Sequence, residues 1–284
     1  MGAGQGHDGH PGGPVAILEQ IPQIANGNGA VFPACRPIGK QATSLKMEAR
    51  VRKAFLKLAV AAAAVFVTSA ADAEQSVWRF DNLKRIGGIS PKAEGDLKLV
   101  ASPLGKAVQF NGSDSALFFP GRPLVGAKAF TIEAVFRPEG GDFQQRWMHI
   151  AETDPATGLD ANPGGTADPN PRFMFEVRVV KDQWYLDAFV QSKAGSKALA
   201  FPEKLHPINQ WYAVQQTYDG KTYRAYVNGV LEGEGDVAFT PHGPGHVMVG
   251  VRMNHVNYFK GSVALARFTD KALAPGEFVK LPAQ

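Results

Sequence analysis

The segment FTIEAVFRP, residues 130–138, alternates residue by residue. Phe130, Ile132, Ala134 and Phe136 fall on one side, and Thr131, Glu133, Val135 and Arg137 on the other. Successive side chains of a strand point to opposite faces, so this period commits the segment to a sheet with one buried side. RFMFEVRVV, residues 172–180, repeats the device, with Phe173, Phe175, Val177 and Val179 against Met174, Glu176, Arg178 and Val180. WYAVQQTYDGKTYRAYVNG, residues 211–229, reads as two strands joined at Asp219-Gly220, a pair that accepts the positive φ of a tight hairpin. Further short strands are expected at 107–110, 116–119, 184–190, 247–251 and 262–268. No long segment has helical spacing, and the one helical turn expected lies at 275–279, where Pro275 can open it. Many short strands, each with one apolar face, predict an all-β fold: a two-sheet antiparallel sandwich.

Upstream of these strands stands MEARVRKAFLKLAVAAAAVFVTSAADA, residues 47–73. Its basic head (Arg50, Arg52, Lys53, Lys57), apolar run and small-x-small close at Ala71-Asp72-Ala73 match a secretory signal cleaved before Glu74. The unbroken apolar run LAVAAAAVFV has 10 residues, against roughly 20 for a membrane span. Residues 1–46 are rich in Gly and Pro without sustained periodicity and are expected to be disordered, with translation expected to start at Met47. The expected organisation is therefore an extension over 1–46, a signal peptide over 47–73 and one sandwich domain over 74–284, exported to the periplasm or outside the cell.

That division changes what the charge means. Seven of the 30 Lys and Arg residues and four of the 26 Asp and Glu residues lie in 1–73, so residues 74–284 carry 23 bases and 22 acids. A nearly neutral domain has no general field for nucleic acid or an anionic membrane, and no stable membrane insertion is expected after signal cleavage. The one cysteine, Cys35, also lies upstream. The domain thus has no internal disulfide, no thiolate metal site and no cysteine for a lipid anchor, and its 211 residues suffice for one core without staples.

Four pieces carry a family resemblance: AVQFNGSDSALFFP (107–120), FTIEAVFRP (130–138), WYAVQQTYDGKTYRAYVNG (211–229) and FKGSVALARFTDKALAPGEF (259–278). With Trp78-Arg79-Phe80-Asp81 at the front, they make the chain resemble the laminin-G-like and concanavalin-A-like jelly rolls over about 200 residues, from Ser76 to Phe278. The resemblance implies a sandwich with a concave face, Trp78 and Trp211 in core positions, and a partner that is a glycan or an extracellular protein. It names no ligand, because one fold carries many functions. Relatives often carry Gly-x-Ile-Asp-Glu-Val in the last strand, where the Asp helps hold calcium. Here the stretch is Gly261-Ser262-Val263-Ala264-Leu265-Ala266. Calcium is therefore the one cofactor the resemblance suggests, with its usual carboxylate replaced by Ala264, and no cofactor is otherwise expected.

Catalytic patterns are sparse. Glycosidases on such folds place paired carboxylates along one strand, and no Glu-x-Asp-x-x-Glu stands here. EGEGD, residues 232–236, reads as a solvated turn. Glu133 and Glu176 share strands with Arg137 and Arg178 and read as paired surface charges. His149, Tyr185, Arg178, Gln191 and Gln215 are the residue types of a lyase site but lack clustered motifs. His242 and His246 read as an exposed loop, and Asn111-Gly112-Ser113 as a strand-edge turn. The stretch 152–172 reads as a flexible lid or edge loop whose acids Asp154, Asp160 and Asp168 are candidate calcium ligands.

Aromatic rings beside amides suit sugars, whose C–H faces stack on flat rings while their hydroxyls take hydrogen bonds. The ligand-binding candidates are Trp147, Trp184, Asn254, Asn257 and Tyr258, with Arg178 on the concave face. The reading is an exported, non-catalytic module that binds a carbohydrate or another extracellular ligand at loops on one sandwich edge. A polysaccharide-degrading enzyme of the same fold, hydrolase or lyase, and a protein-binding adhesive module are the alternatives.

Overall fold

The structure, a computed structural model, describes residues 74–153 and 171–282. The extension, the signal peptide and Asp154, Asp160 and Asp168 lie outside the described residues. Among the described residues, the strands form two antiparallel sheets of eight, and no helix is long and apolar enough to cross a membrane.

The first sheet runs β14 (Val230–Asp236), β13 (Thr222–Val227), β12 (Tyr212–Tyr218), β6 (Phe130–Pro138), β16 (Lys260–Thr269), β4 (Gly105–Asn111) and β3 (Lys98–Ser102), with β1 (Gln75–Arg79) also on β16. The second runs β10 (Gly195–Ala200), β9 (Gln183–Ser192), β8 (Arg172–Val180), β7 (Gln144–Glu152), β15 (Gly245–Val249), β5 (Ala116–Phe119) and β2 (Lys92–Glu94), with β11 (His206–Pro207) on β9. Strand order departs from chain order in both sheets, as a jelly roll requires. A single 3₁₀ turn at Pro275–Glu277 takes the expected helical position, and Glu277 accepts from Ala274 N at 2.8 Å.

Residues on alternate positions of the two sheets meet to form the core, which includes Phe130, Ile132, Ala134 and Phe136 from β6 and Phe173, Phe175, Val177 and Val179 from β8. Rings interlock across it. Phe136 stacks on Trp147 at 5.8 Å and meets Trp184 edge-on at 5.2 Å, while Trp78 packs on Phe119 at 4.4 Å.

Several expectations are corrected. Trp147 and Trp184 are fully buried core side chains with no ring face for a ligand. A bulge between Arg146 and Met148 turns Trp147 inward, and Trp184 of β9 is in register with the core residue Val179. EGEGD belongs to β14 and pairs with β13. Trp211 is only half-buried, on the outer side of the first sheet beneath Arg137. His242 is buried against Phe173 and Phe239. Ala264 occupies the bulge of β16, among Ala107, Val135, Ala213 and Leu265. Ala264 itself brings no side-chain oxygen to this position.

Candidate functional site on the outer face of the second sheet

The face of the second sheet turned away from the core carries charge that is itself buried. The turn at Lys181-Asp182 sets β8 against β9, so that Glu176 faces Asp187 and Arg178 faces Tyr185. On the other side of β8, Arg146 of β7 is opposite Glu176. Glu176 is clamped by two guanidiniums: Arg146 Nη2 reaches its Oε1 at 3.0 Å and Arg178 Nη2 its Oε2 at 2.7 Å. Arg178 also holds Asp187 side-on, donating from Nε at 2.8 Å and Nη2 at 2.6 Å. The exposed ring of Phe143 lies 5.7 Å from the Arg178 guanidinium, and the Gln144 amide faces the same group.

The glutamates expected to be surface charges are both buried, on opposite outer faces. Glu133, on the first sheet, is paired with Arg267 and accepts from Val279 N at 2.8 Å, while Arg137 turns to Glu139 at 2.7 Å. Only Glu176 belongs to the cluster described here.

Burial sets the electrostatics. It pushes the Glu176 carboxyl up to about 7, beyond what Arg146 and Arg178 recover, and the Asp187 charge adds to the rise. His149, next along the same face of β7, is pushed down to about 3 by burial and by the surrounding guanidiniums, Arg252 foremost. It is therefore neutral. Its Nδ1 accepts from Met253 N at 3.0 Å.

That contact belongs to the loop joining β15 to β16, which brings the remaining expected residues here. Asn257 O accepts from Arg146 N at 3.0 Å, and His255 Nε2 meets Glu94 Oε2 at 2.9 Å. His255 and Asn257 adopt the left-handed region, at φ 56° and 61°, which lets the loop fold back so tightly. Tyr258 packs, half-buried, against Ala116, Met248 and Val251 on the same sheet. Of the expected residues, Arg178, Asn254, Asn257 and Tyr258 thus belong to this sheet's outer face or the loop beside it.

Sequence reasoning missed Arg146, Asp187 and Phe143 as site residues and placed His149 only in a dismissed lyase set. A signal was present: residues equidistant from Lys181-Asp182 pair across a hairpin, which aligns Glu176 with Asp187. Chemically, the arrangement offers guanidinium and imidazole donors, an exposed ring and loop amides. Its two carboxylates share one Arg178 nitrogen.

Comparisons with known proteins agree with the architecture. No curated protein sequence matches the chain. Domain 4 of AbnA, a GH43 extracellular arabinanase from Geobacillus stearothermophilus solved in complex with arabinotriose, superposes with a TM-score of 0.52 at 18% identity, covering 72% of this chain and 97% of that one. The CBM40 of the Ruminococcus gnavus IT-sialidase gives 0.47 at 14% identity, over 61% of this chain and 94% of its own. At such identities the first likeness speaks to fold. A laminin-G family model, described as concanavalin A-like lectin/glucanases superfamily, matches residues 111–277, more than half of the chain. With both sheets and the buried core in place, the chain belongs to the concanavalin A-like lectin/glucanases superfamily.

Proposed function

We propose that the protein is an exported carbohydrate-binding module that takes its ligand on the outer face of the second sheet. The observation that carries this reading is the Arg146–Glu176–Arg178–Asp187 network, set between the exposed ring of Phe143 and the amide-bearing loop 252–258. Rigid strands hold the polar groups in fixed positions while a ring and amides border them, which is the division of labour a sugar needs. The arabinanase domain that shares the fold was solved with arabinotriose, which supports a glycan partner. Export rests on the signal-like segment at 47–73.

Retention on a glycan array tests the proposal. Phe143→Ala and Tyr258→Ala are expected to lower retention while circular dichroism stays that of the parent. Trp147→Ala is expected to lower stability instead, by about 3–5 kcal/mol for a large buried ring. Undiminished retention in both ring variants, or no retention of any glycan by the parent, would count against the proposal. A hydrolase reading draws on the raised Glu176 carboxyl beside Asp187, and release of reducing ends by purified protein would favour it.

A further inference from the structure

Three hydrogen-bond donors of this face have no acceptor among the described residues: Nε and Nη1 of Arg146, and Nε2 of His149. Arg146 is 5% exposed and His149 3%, so bulk water does not serve them. Buried donors are nearly always paired, and a charged one left unmet is costly, so such groups ask for a reason. The Trp147 bulge makes Arg146 and His149 consecutive on this face, opposite Glu176 and Met174 respectively. Because His149 Nδ1 already accepts from Met253 N, its proton sits on Nε2, which makes Nε2–H a donor.

The charge balance points the same way. Arg146, Arg178 and Arg252 act on this cluster, against Glu176 and Asp187. Arg172 and Arg122 also act on His149, so guanidiniums outnumber carboxylates here, and Arg146 is the one whose Nε and Nη1 lack a partner. A neutral hydroxyl satisfies one donor and leaves the excess charge in place. An oxyanion has lone pairs enough for several donors and carries the missing charge. Asn254 contributes a buried acceptor, its Oδ1, also without a partner, which suits a hydroxyl on the same ligand.

We infer that the glycan bound here is acidic, with a carboxylate or sulfate group received by Arg146 and by the Nε2–H of His149. The inference rests on the carbohydrate-binding reading and narrows it. The donors are covered, so admitting the ligand requires their cover to shift, and the loop 252–258 is tied to this spot through Met253 N and Asn257 O. His149 remains neutral down to about pH 3, so its Nδ1 goes on accepting from Met253 N and its one proton stays on Nε2.

Calorimetric titration of the full-length protein with an oligogalacturonide, a sulfated oligosaccharide and a neutral oligosaccharide tests this. At least one acidic ligand is expected to bind about tenfold or more tighter than the neutral one, with affinity falling as salt rises. Arg146→Gln should weaken that ligand by at least about tenfold, the worth of a charge-assisted hydrogen bond, and Arg146→Lys by less. The carboxylate and sulfate arms identify which group is read. Neutral binding as tight as acidic, or affinity unchanged in a folded Arg146→Gln variant, overturns the acidic assignment and leaves carbohydrate binding standing. No binding in any arm, together with a silent glycan array, overturns both. Should Arg146→Gln fail to fold, the comparison of ligands and the salt dependence of the parent decide alone.

Discussion

His149 and His242 are buried imidazoles with pKa pushed down to about 3, in both cases chiefly by burial and then by nearby guanidiniums. Below the ordinary value of 6.5 the unfolded chain takes up protons at these sites and the folded chain does not, so stability falls as pH drops from 6.5 toward 3. Glu176 opposes them. Its carboxyl is raised from 4.5 to about 7, so its contribution is fully present below 4.5 and is lost as pH climbs to 7. Two histidines outweigh one carboxylate between 4.5 and 6.5, and the parent should weaken on acidification through that window. His149→Phe should flatten the dependence by about 1.4 kcal/mol per pH unit, one proton's worth, between about pH 4 and 6, and leave it unchanged above about pH 7, in urea denaturation. An unchanged slope would mean that His149 is not held neutral. The residues in this balance show where sequence reading stops. Arg178 and Glu176 could be placed on one strand face, but their burial could not, because it depends on what the fold lays beside that face. Trp147 was misread for a similar reason: a bulge has no signature in the run Gln145-Arg146-Trp147-Met148.

At the level of elements, period two gave strong guidance. The strands expected at 130–138, 172–180 and 116–119 are observed with those bounds. β14 was lost because the glycines of EGEGD hide its alternation, and an edge strand with one partner tolerates such composition. Glycine has a different task in β15. A side chain at Gly245 would overlap the Ala151 carbonyl oxygen of β7, so the close approach of these two strands depends on that hydrogen. β15 then pairs His246 with Ala151 and Met248 with His149, which links the strand to the site. Gly245→Ala should cost about 1–3 kcal/mol, the usual penalty of overpacking. Amide exchange should quicken in β7 and β15 more than in β12 and β13. A variant as stable as the parent would show that β15 shifts freely, and the site's support would have to come from β8 and β9 alone.

Across the whole sandwich, the two outer faces are treated differently by the chain. That of the first sheet is covered by the C-terminal segment: Phe278 is buried and meets Tyr226 edge-on at 5.1 Å, while Val279 and Leu281 pack on Ala213, Val135 and Leu265. The same segment serves buried charge there, with Val279 N donating to Glu133 at 2.8 Å and Glu277 O accepting from Arg267 at 2.8 Å. The cluster proposed to bind glycan lies on the opposite side of the core, so the segment and the site should be separable. Ending the chain after Ala274 removes one buried phenylalanine, worth about 1.5–3 kcal/mol by burial, and strips two hydrogen bonds from the Arg267–Glu133 ion pair. A lower melting temperature and association through the uncovered apolar patch are expected, the first read by thermal denaturation and the second by light scattering. Ligand affinity, measured well below the melting temperature, should match that of the parent. Lost affinity in a folded, monomeric truncation would place the ligand on the first sheet or couple the two faces through the core, and either result would displace the Arg146 cluster as the recognition surface.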